Sequence, residues 1–325
     1  MGRPATAFHQ LVGQGRAVGY LRRLIAGAKA HGDACPSMLL AGPSGAGKST
    51  MAAAIAAEYG SQLHMLLAGS DTTATAICRI LSELKHGDVF LVDEAHSLSA
   101  DAQQVLFIAL DQWKIPRLLE RGIDRSSFES IAEFTLVVAT NAPGQIKQAL
   151  RTRLTRIEFD SYSQKELKTI AEHVAELLGI SISPQAANLL ATTAQGSPRC
   201  IKRRIRDLRH YWAGMSSLTK DHVRTFLDSE GIDEYGLTPH QRKYMKALAA
   251  MPKGQCNVER LAVKLGCDVV NVRQEVEVYL IEQGYVDPAS RLGRGITPKG
   301  LDLLDRLPRD ASDSEDADDV DHPGG

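Results

Sequence analysis

Residues 42–49 read Gly42-Pro43-Ser44-Gly45-Ala46-Gly47-Lys48-Ser49, a complete G-x-x-x-x-G-K-[ST] pattern. Glycines at this spacing let successive backbone N–H groups converge on phosphate oxygens, and a helix starting at the end of the loop adds its positive end. Lys48 would reach the β- and γ-phosphates and Ser49 would offer a hydroxyl to Mg2+, with Thr50 carrying the loop into the helix. The chemistry implied is cleavage of a nucleoside triphosphate such as ATP. The alternative is a merely structural Gly-rich turn.

About forty residues on, Asp93-Glu94 follows the apolar run Asp88-Val-Phe-Leu-Val92. A strand ending there delivers both carboxylates to the edge of the sheet where ligands of open α/β folds collect. Asp93 suits the magnesium shell, and Glu94 suits the orientation and deprotonation of an attacking water, unless the pair is only a helix cap. A third apolar run leads to Asn141, whose amide could hold that water, or could equally be a turn residue before Pro143-Gly144. Arg153, in Leu150-Arg-Thr-Arg153, could reach a neighbouring subunit's nucleotide and neutralise transition-state charge, or could be a solvated helix end. Arg199 follows Gly196-Ser-Pro at the start of a helical pattern. A cation there opposes the helix dipole and asks for an anion, which a phosphate would supply. His96 reads as a helix-start residue rather than a base.

Positioning these residues requires a sheet. Ser37–Ala41, Asp88–Val92 and Thr135–Ala139 read as strands buried on both faces, with helices at Thr50–Tyr59 and Ser99–Asp111, which predicts an α/β fold with a parallel sheet over residues 11–160. Over residues 161–234 the strand signals stop, and Ser163–Leu178, Ser183–Ala194 and Ser197–Trp212 predict a small helical lid domain. Residues 236–308 predict helices at Thr238–Ala250, Asn257–Leu265 and Asp268–Gln283 followed by a short hairpin, the winged-helix pattern. Asp268–Gln283 would be its recognition-type helix, and Arg291 and Arg294 on the wing would present forked donors to DNA phosphates, although winged helices also dock proteins.

Composition narrows the function class. In 325 residues, 43% apolar and 24% charged, the net charge is -1, but residues 310–325 carry seven acids and no Lys or Arg. Without that stretch the remainder is at +6, which permits a polyanionic partner without demanding one. The tail, residues 309–325, is expected to be disordered. Five widely spaced cysteines and ten histidines without metal spacing point away from a zinc frame and toward a reducing compartment. With no apolar run long enough to span a bilayer and no secretory h-region, the cytoplasm is the expected address and no membrane contact is expected.

With these residues in hand, the chain resembles the RuvB family, the ATP-driven motors of Holliday junction branch migration within the AAA+ class. The resemblance runs from about Leu11 to Leu307. Val12-Gly-Gln14 resembles the family's FIGQ, Asp88 to His96 its DVLFIDEIH, Leu150 to Arg153 its LRxRF and Gly196-Ser-Pro-Arg199 its GTPR. Tyr279-Leu-Ile-Glu-Gln-Gly-Tyr285 is similar to its YLIQQGF and is the most specific part. The resemblance implies Leu11 and Val12 beside the adenine, Arg153 as a finger acting across subunits, Arg199 as a nucleotide sensor, a hexameric ring around duplex or four-way-junction DNA, and work with RuvA. It also has departures. Asn141 stands where the family has threonine, Leu154 replaces phenylalanine, and the wing reads Asp287-Pro-Ala-Ser-Arg-Leu-Gly-Arg-Gly rather than TPRGR. The charged stretch between Lys114 and Phe134, where the family carries its RuvA-binding hairpin, would weaken an apolar docking surface. Two rival readings stand beside the motor: a clamp-loader-like or initiator-like ATPase, and a nucleotide-switched binding module.

Overall fold

The structure is a computed structural model that describes residues 8–290 and 293–307. These fall into two compact units dividing after Lys220. The wing residue Arg291 and the acidic tail lie outside the described residues.

The first unit begins with α1 (Gly15–His31), β1 (Met38–Ala41), α2 (Lys48–Tyr59), β2 (Leu63–Leu67), α3 (Ala74–Glu83), β3 (Val89–Asp93) and α4 (Ala100–Gln112). A hairpin of β4 (Lys114–Leu119) and β5 (Gly122–Ser130) follows, then β6 (Thr135–Thr140), α5 (Gln148–Arg151) and β7 (Thr155–Glu158). Five strands form a parallel sheet in the order β2-β3-β6-β1-β7. β1, β3 and β6 are the three runs expected from the sequence. Alternate residues on them face opposite ways, which is why each run is apolar throughout. Leu39, Phe90, Val92, Leu136 and Val138 join α3 and α4 in one cluster, while Met38, Leu40, Leu91, Val137 and Ala139 join α1 and α2 in the other.

β6 lies between the strand that ends in the phosphate loop and the strand that ends in Asp93. The C-terminal end of β6 is therefore placed between the two motifs.

Two edge strands escaped the sequence reading. β2 exposes Met65 and Leu67, and β7 reads Thr155-Arg-Ile-Glu158, so neither shows a continuous apolar run.

The unit continues with α6 (Gln164–Leu177), β8 (Ser181–Ile182), α7 (Pro184–Thr193), α8 (Pro198–Tyr211) and β9 (Ser217–Leu218). Ser163, Ser183 and Ser197 cap the three helices by accepting from the backbone N–H of Glu166, Ala186 and Cys200. Ser163 and Glu166 complete a capping box, which fixes where α6 starts.

In the second unit, α9 (Lys220–Ser229) spans the division, and α10 (Pro239–Ala249), β10 (Gln255–Cys256), α11 (Val258–Leu265) and α12 (Val269–Asn271) follow. A π-helical turn (Val272–Val276) and α13 (Glu277–Glu282) complete the segment expected as one recognition-type helix. Then come β11 (Val286–Ser290), β12 (Gly293–Ile296) and α14 (Pro298–Arg306). β10, β12 and β11 form a three-stranded antiparallel sheet, giving the winged-helix pattern of three helical segments and a wing hairpin. Gly293 is required where it stands: a Cβ would come within 2.8 Å of the Cys256 carbonyl oxygen, and its φ is +115°.

Candidate nucleotide site

The loop between β1 and α2 curls around the Lys48 side chain. Lys48 is 6% exposed and its Nζ donates to the carbonyl oxygens of Gly42 and Pro43, both at 2.9 Å. Burial lowers its pKa from the ordinary lysine value, and the carboxylates of Glu94 and Asp93 act against that fall. Gly47, in a left-handed conformation at φ 92°, caps α2 without a side chain of its own.

Across the loop, Ser49 Oγ donates to Asp93 Oδ2 at 2.5 Å. Two hard oxygen donors so close, beside a loop with no Cβ at positions 42, 45 and 47, suit a magnesium ion carried in with phosphates. A Cβ on Gly45 would stand 3.3 Å from Arg199 Cβ, and one on Gly47 3.2 Å from the Tyr162 hydroxyl. The glycines thus keep open a groove that side chains would fill. Among the described residues there is no cluster of three or more His, Cys, Asp or Glu that could hold a metal by itself.

Glu94 follows with φ 51° and ψ 38°, a left-handed conformation that costs a non-glycine residue on the order of 1 kcal/mol. Its carboxylate lies 3.4 Å from His96 Nδ1, and that same nitrogen lies 3.2 Å from Thr140 Oγ1 at the end of β6. Thr140 is buried and its hydroxyl also accepts from the Ala142 backbone N–H. Asn141, expected to be the polar group at this strand end, is exposed and does not line the cleft. The strand runs one residue further than expected, so the inward-facing position falls to Thr140. His96 lies in the short 3-10 turn Ala95–Ser97, as expected of a helix-start residue, and its ring in addition approaches Thr140 and Glu94.

The cleft has a volume of about 540 Å3. Ser44, Gly45, Gly47, Lys48, Ser49 and Thr50 line its floor, and Asp93 and Glu94 line one side. Leu11 and Val12, assigned by resemblance, do border it, as does Gly13. Gly42, Pro43 and Ala46 contribute through backbone: the first two hold Lys48, and the Ala46 carbonyl accepts from the Tyr162 hydroxyl at 3.0 Å. Gln14 exchanges two hydrogen bonds with the Asp160 backbone, fastening the N-terminal segment to the chain leaving β7.

The lid supplies more than the sequence indicated. Ile170, His173, Val174 and Leu177 on α6 wall the cleft opposite the sheet, and Arg199 and Lys202 project from α8. Arg199 Nη1 lies 3.4 Å from Ser44 Oγ, so Arg199 meets the phosphate loop. The α6 wall was missed because an amphipathic helix of a lid presents the same pattern whether its apolar face meets protein or a base. Tyr162 was missed for lack of any motif.

Arg153 lies away from this cleft. Its Nε and Nη2 donate to Asp111 Oδ1, and its guanidinium sits 5.4 Å from the centre of the Phe107 ring. Leu154, the residue that departs from the family pattern, is buried in the core cluster of α3 and α4. In the hairpin, Leu119 and Phe128 are exposed at 50% and 46%, so that surface is less polar than its charges suggested.

On the wing, Arg294 is not the free phosphate fork the sequence suggested. Its Nε and Nη2 donate to the two oxygens of Glu277 at 2.9 and 2.6 Å, and Nη1 donates to the Pro288 carbonyl.

A phosphate loop at the end of β1, acidic residues at the end of β3 with β6 between them, and a helical lid reaching back over the loop define a P-loop ATPase of the AAA+ class. Comparison with known families narrows this. The RuvB Holliday junction DNA helicase P-loop domain model matches residues 3–158, the RuvB AAA lid model residues 162–233 and the RuvB C-terminal winged-helix model residues 234–305. The RuvB branch migration subunit of Fervidobacterium nodosum is 30% identical over 301 residues, covering 91% of this chain and 86% of that protein. Its counterpart in Chlorobium luteolum is 33% identical over 294 residues, covering 89% and 85%. The Thermotoga maritima RuvB Holliday junction branch migration motor superposes with a TM-score of 0.79 at 29% identity, over 94% of this chain and 99% of that one. The chain belongs to the RuvB family.

Proposed function

We propose that this protein is an ATP-driven motor that moves duplex DNA at four-way junctions, in recombination and repair. ATP is the substrate, with its phosphates over residues 42–50, its base between Leu11-Val12 and the α6 wall, and Mg2+ held by Ser49 and Asp93. Ser49 and Asp93 would hold that ion, which would supply positive charge to offset the charge that develops on cleavage. Lys48 neutralises the same phosphates. Glu94 orients and deprotonates the attacking water, with His96, itself held at Thr140, standing beside its carboxylate. Arg199 senses the phosphate from the lid.

Arg153 completes the site of a neighbouring subunit in a ring, which we take to be hexameric, around DNA gripped by the winged helix. A RuvA-type junction-binding protein would dock on the β4–β5 hairpin, where Leu119 and Phe128 supply apolar area. The reading rests above all on the meeting of Ser49 and Asp93 at 2.5 Å beside the buried Lys48, the arrangement that Mg-nucleotide hydrolysis needs.

The decisive experiment is branch migration of a synthetic four-way junction, with and without a RuvA-type protein. A motor moves the branch point only with hydrolysable ATP, and long duplex DNA raises its ATP turnover. Nucleotide-dependent DNA binding with no stimulated turnover would favour the switched-module reading instead.

A further inference from the structure

Glu277 is a carboxylate with a side chain only 3% exposed, at the first residue after the π-helical turn. Burying an ionised carboxylate is tolerated only if charge and hydrogen bonds are supplied from elsewhere. Here they come from two other elements. Arg294, at the centre of the wing strand β12, binds both oxygens with a forked pair of donors, and Tyr244, fully buried on α10, donates to Oε2 at 3.1 Å. The third arginine donor caps the Pro288 carbonyl at 3.1 Å, where β11 departs from regular pairing with β12. One guanidinium therefore joins the recognition-type segment, both wing strands and, through Glu277, helix α10.

The neighbours of Arg294 leave it little freedom to do otherwise. A Cβ on Gly295 would stand 2.9 Å from Ser290 Cβ, so β12 and β11 approach closely on either side of the arginine. Its side chain is 19% exposed, and all three of its nitrogens have partners within the domain. A fork held in this way cannot also clasp a phosphate without leaving Glu277 charged and unpaired in the core.

We propose that Arg294 is a positioning residue: with Glu277 and Tyr244 it locks the wing hairpin to the recognition-type segment, and so sets the pose in which the wing meets duplex DNA. This rests on the DNA-motor reading for its ligand but not for the lock itself. Specificity of wing placement then comes from a buried acid that no DNA can touch.

The test uses the full-length protein and three variants: Glu277→Gln, Arg294→Gln, and Glu277→Met combined with Arg294→Met. Amide hydrogen exchange without DNA reads the lock directly. In Glu277→Gln, amides of residues 286–290 and 293–296 should exchange at least about tenfold faster than in the wild type. Unchanged exchange overturns the lock, whatever the protein binds. Binding to a fluorescent duplex across a salt series reads the consequence. Both single variants should bind about tenfold or more weakly, while the apolar pair, which can pack without charge, should recover most of the affinity with an unchanged salt slope. A direct phosphate contact gives the opposite results: Glu277→Gln would free the arginine and tighten binding, and the apolar pair would lower the slope by about 0.9. If Glu277→Gln fails to fold by thermal melting, the apolar pair decides by its slope. If the wild type binds no duplex while exchange changes as expected, the motor reading fails and the lock stands.

Discussion

His96 Nδ1 stands 3.4 Å from Glu94 Oε2 and 3.2 Å from Thr140 Oγ1, linking the Glu94 carboxylate to the strand that separates the two nucleotide motifs. Glu94 lines the nucleotide cleft from a left-handed backbone conformation, with the His96 ring beside its carboxylate. His96→Ala should lower kcat about tenfold or more and leave nucleotide affinity within about twofold, because the lost contact bears on the water and not on the phosphates. Steady-state ATP turnover together with titration of a fluorescent nucleotide checks it. An equal loss in affinity would place His96 in binding instead.

Lys48→Ala and Asp93→Asn should both abolish turnover, by different routes. Removing Lys48 takes away the cation from beneath the phosphates and should weaken nucleotide binding with or without magnesium. Asp93→Asn should weaken binding chiefly when Mg2+ is present. Isothermal titration in magnesium and in chelator separates the two.

Mixed oligomers test the role of Arg153. Arg153→Ala alone and Glu94→Gln alone should each be nearly inactive in ATP turnover, the finger contributing on the order of a thousandfold. Mixing the two should restore part of the activity, since some interfaces then carry an intact glutamate and an intact finger from different chains. No recovery would leave Arg153 as a residue that braces α4 through Asp111 and Phe107.

Burial pushes the Cys35 and Cys78 thiols up from 9.0 to about 11. A raised pKa means that the folded state keeps the proton longer than the unfolded chain does. The associated stability is present below pH 9 and is lost as pH rises from 9 through 11. At pH 8 these thiols should resist iodoacetamide in the folded protein, while the half-buried Cys200 and Cys267 react first. Mass spectrometry of alkylated peptides gives the order.

The parts of the site legible in the sequence are those whose backbone does the work. Gly42 to Ser49 must be read together because glycine conformations and a helix start carry the chemistry, and Asp93-Glu94 is marked by the buried strand before it. Lid helices announce themselves through Ser163, Ser183 and Ser197, which are needed as caps whatever the lid packs against. Side-chain partnerships formed at long range leave no such trace. Thr140 was passed over for Asn141 because a one-residue difference in where a strand ends reverses which side chain faces in. Arg294 was read as a DNA contact because a basic wing residue is ambiguous until its partner, seventeen positions away, is brought beside it. The edge strands β2 and β7 lack the double-sided burial that makes a strand conspicuous.

Tyr162 sits where the chain passes from the sheet to the first lid helix. Its hydroxyl grips the Ala46 carbonyl in the phosphate loop, and its ring lies so close to Gly13 that a methyl group there would come within 2.7 Å. One side chain at the sheet-to-lid junction therefore touches the phosphate loop and the segment before α1 at once. Adding a side chain at Gly13 or removing the Tyr162 hydroxyl would therefore disturb the sheet-to-lid junction and one edge of the nucleotide cleft together.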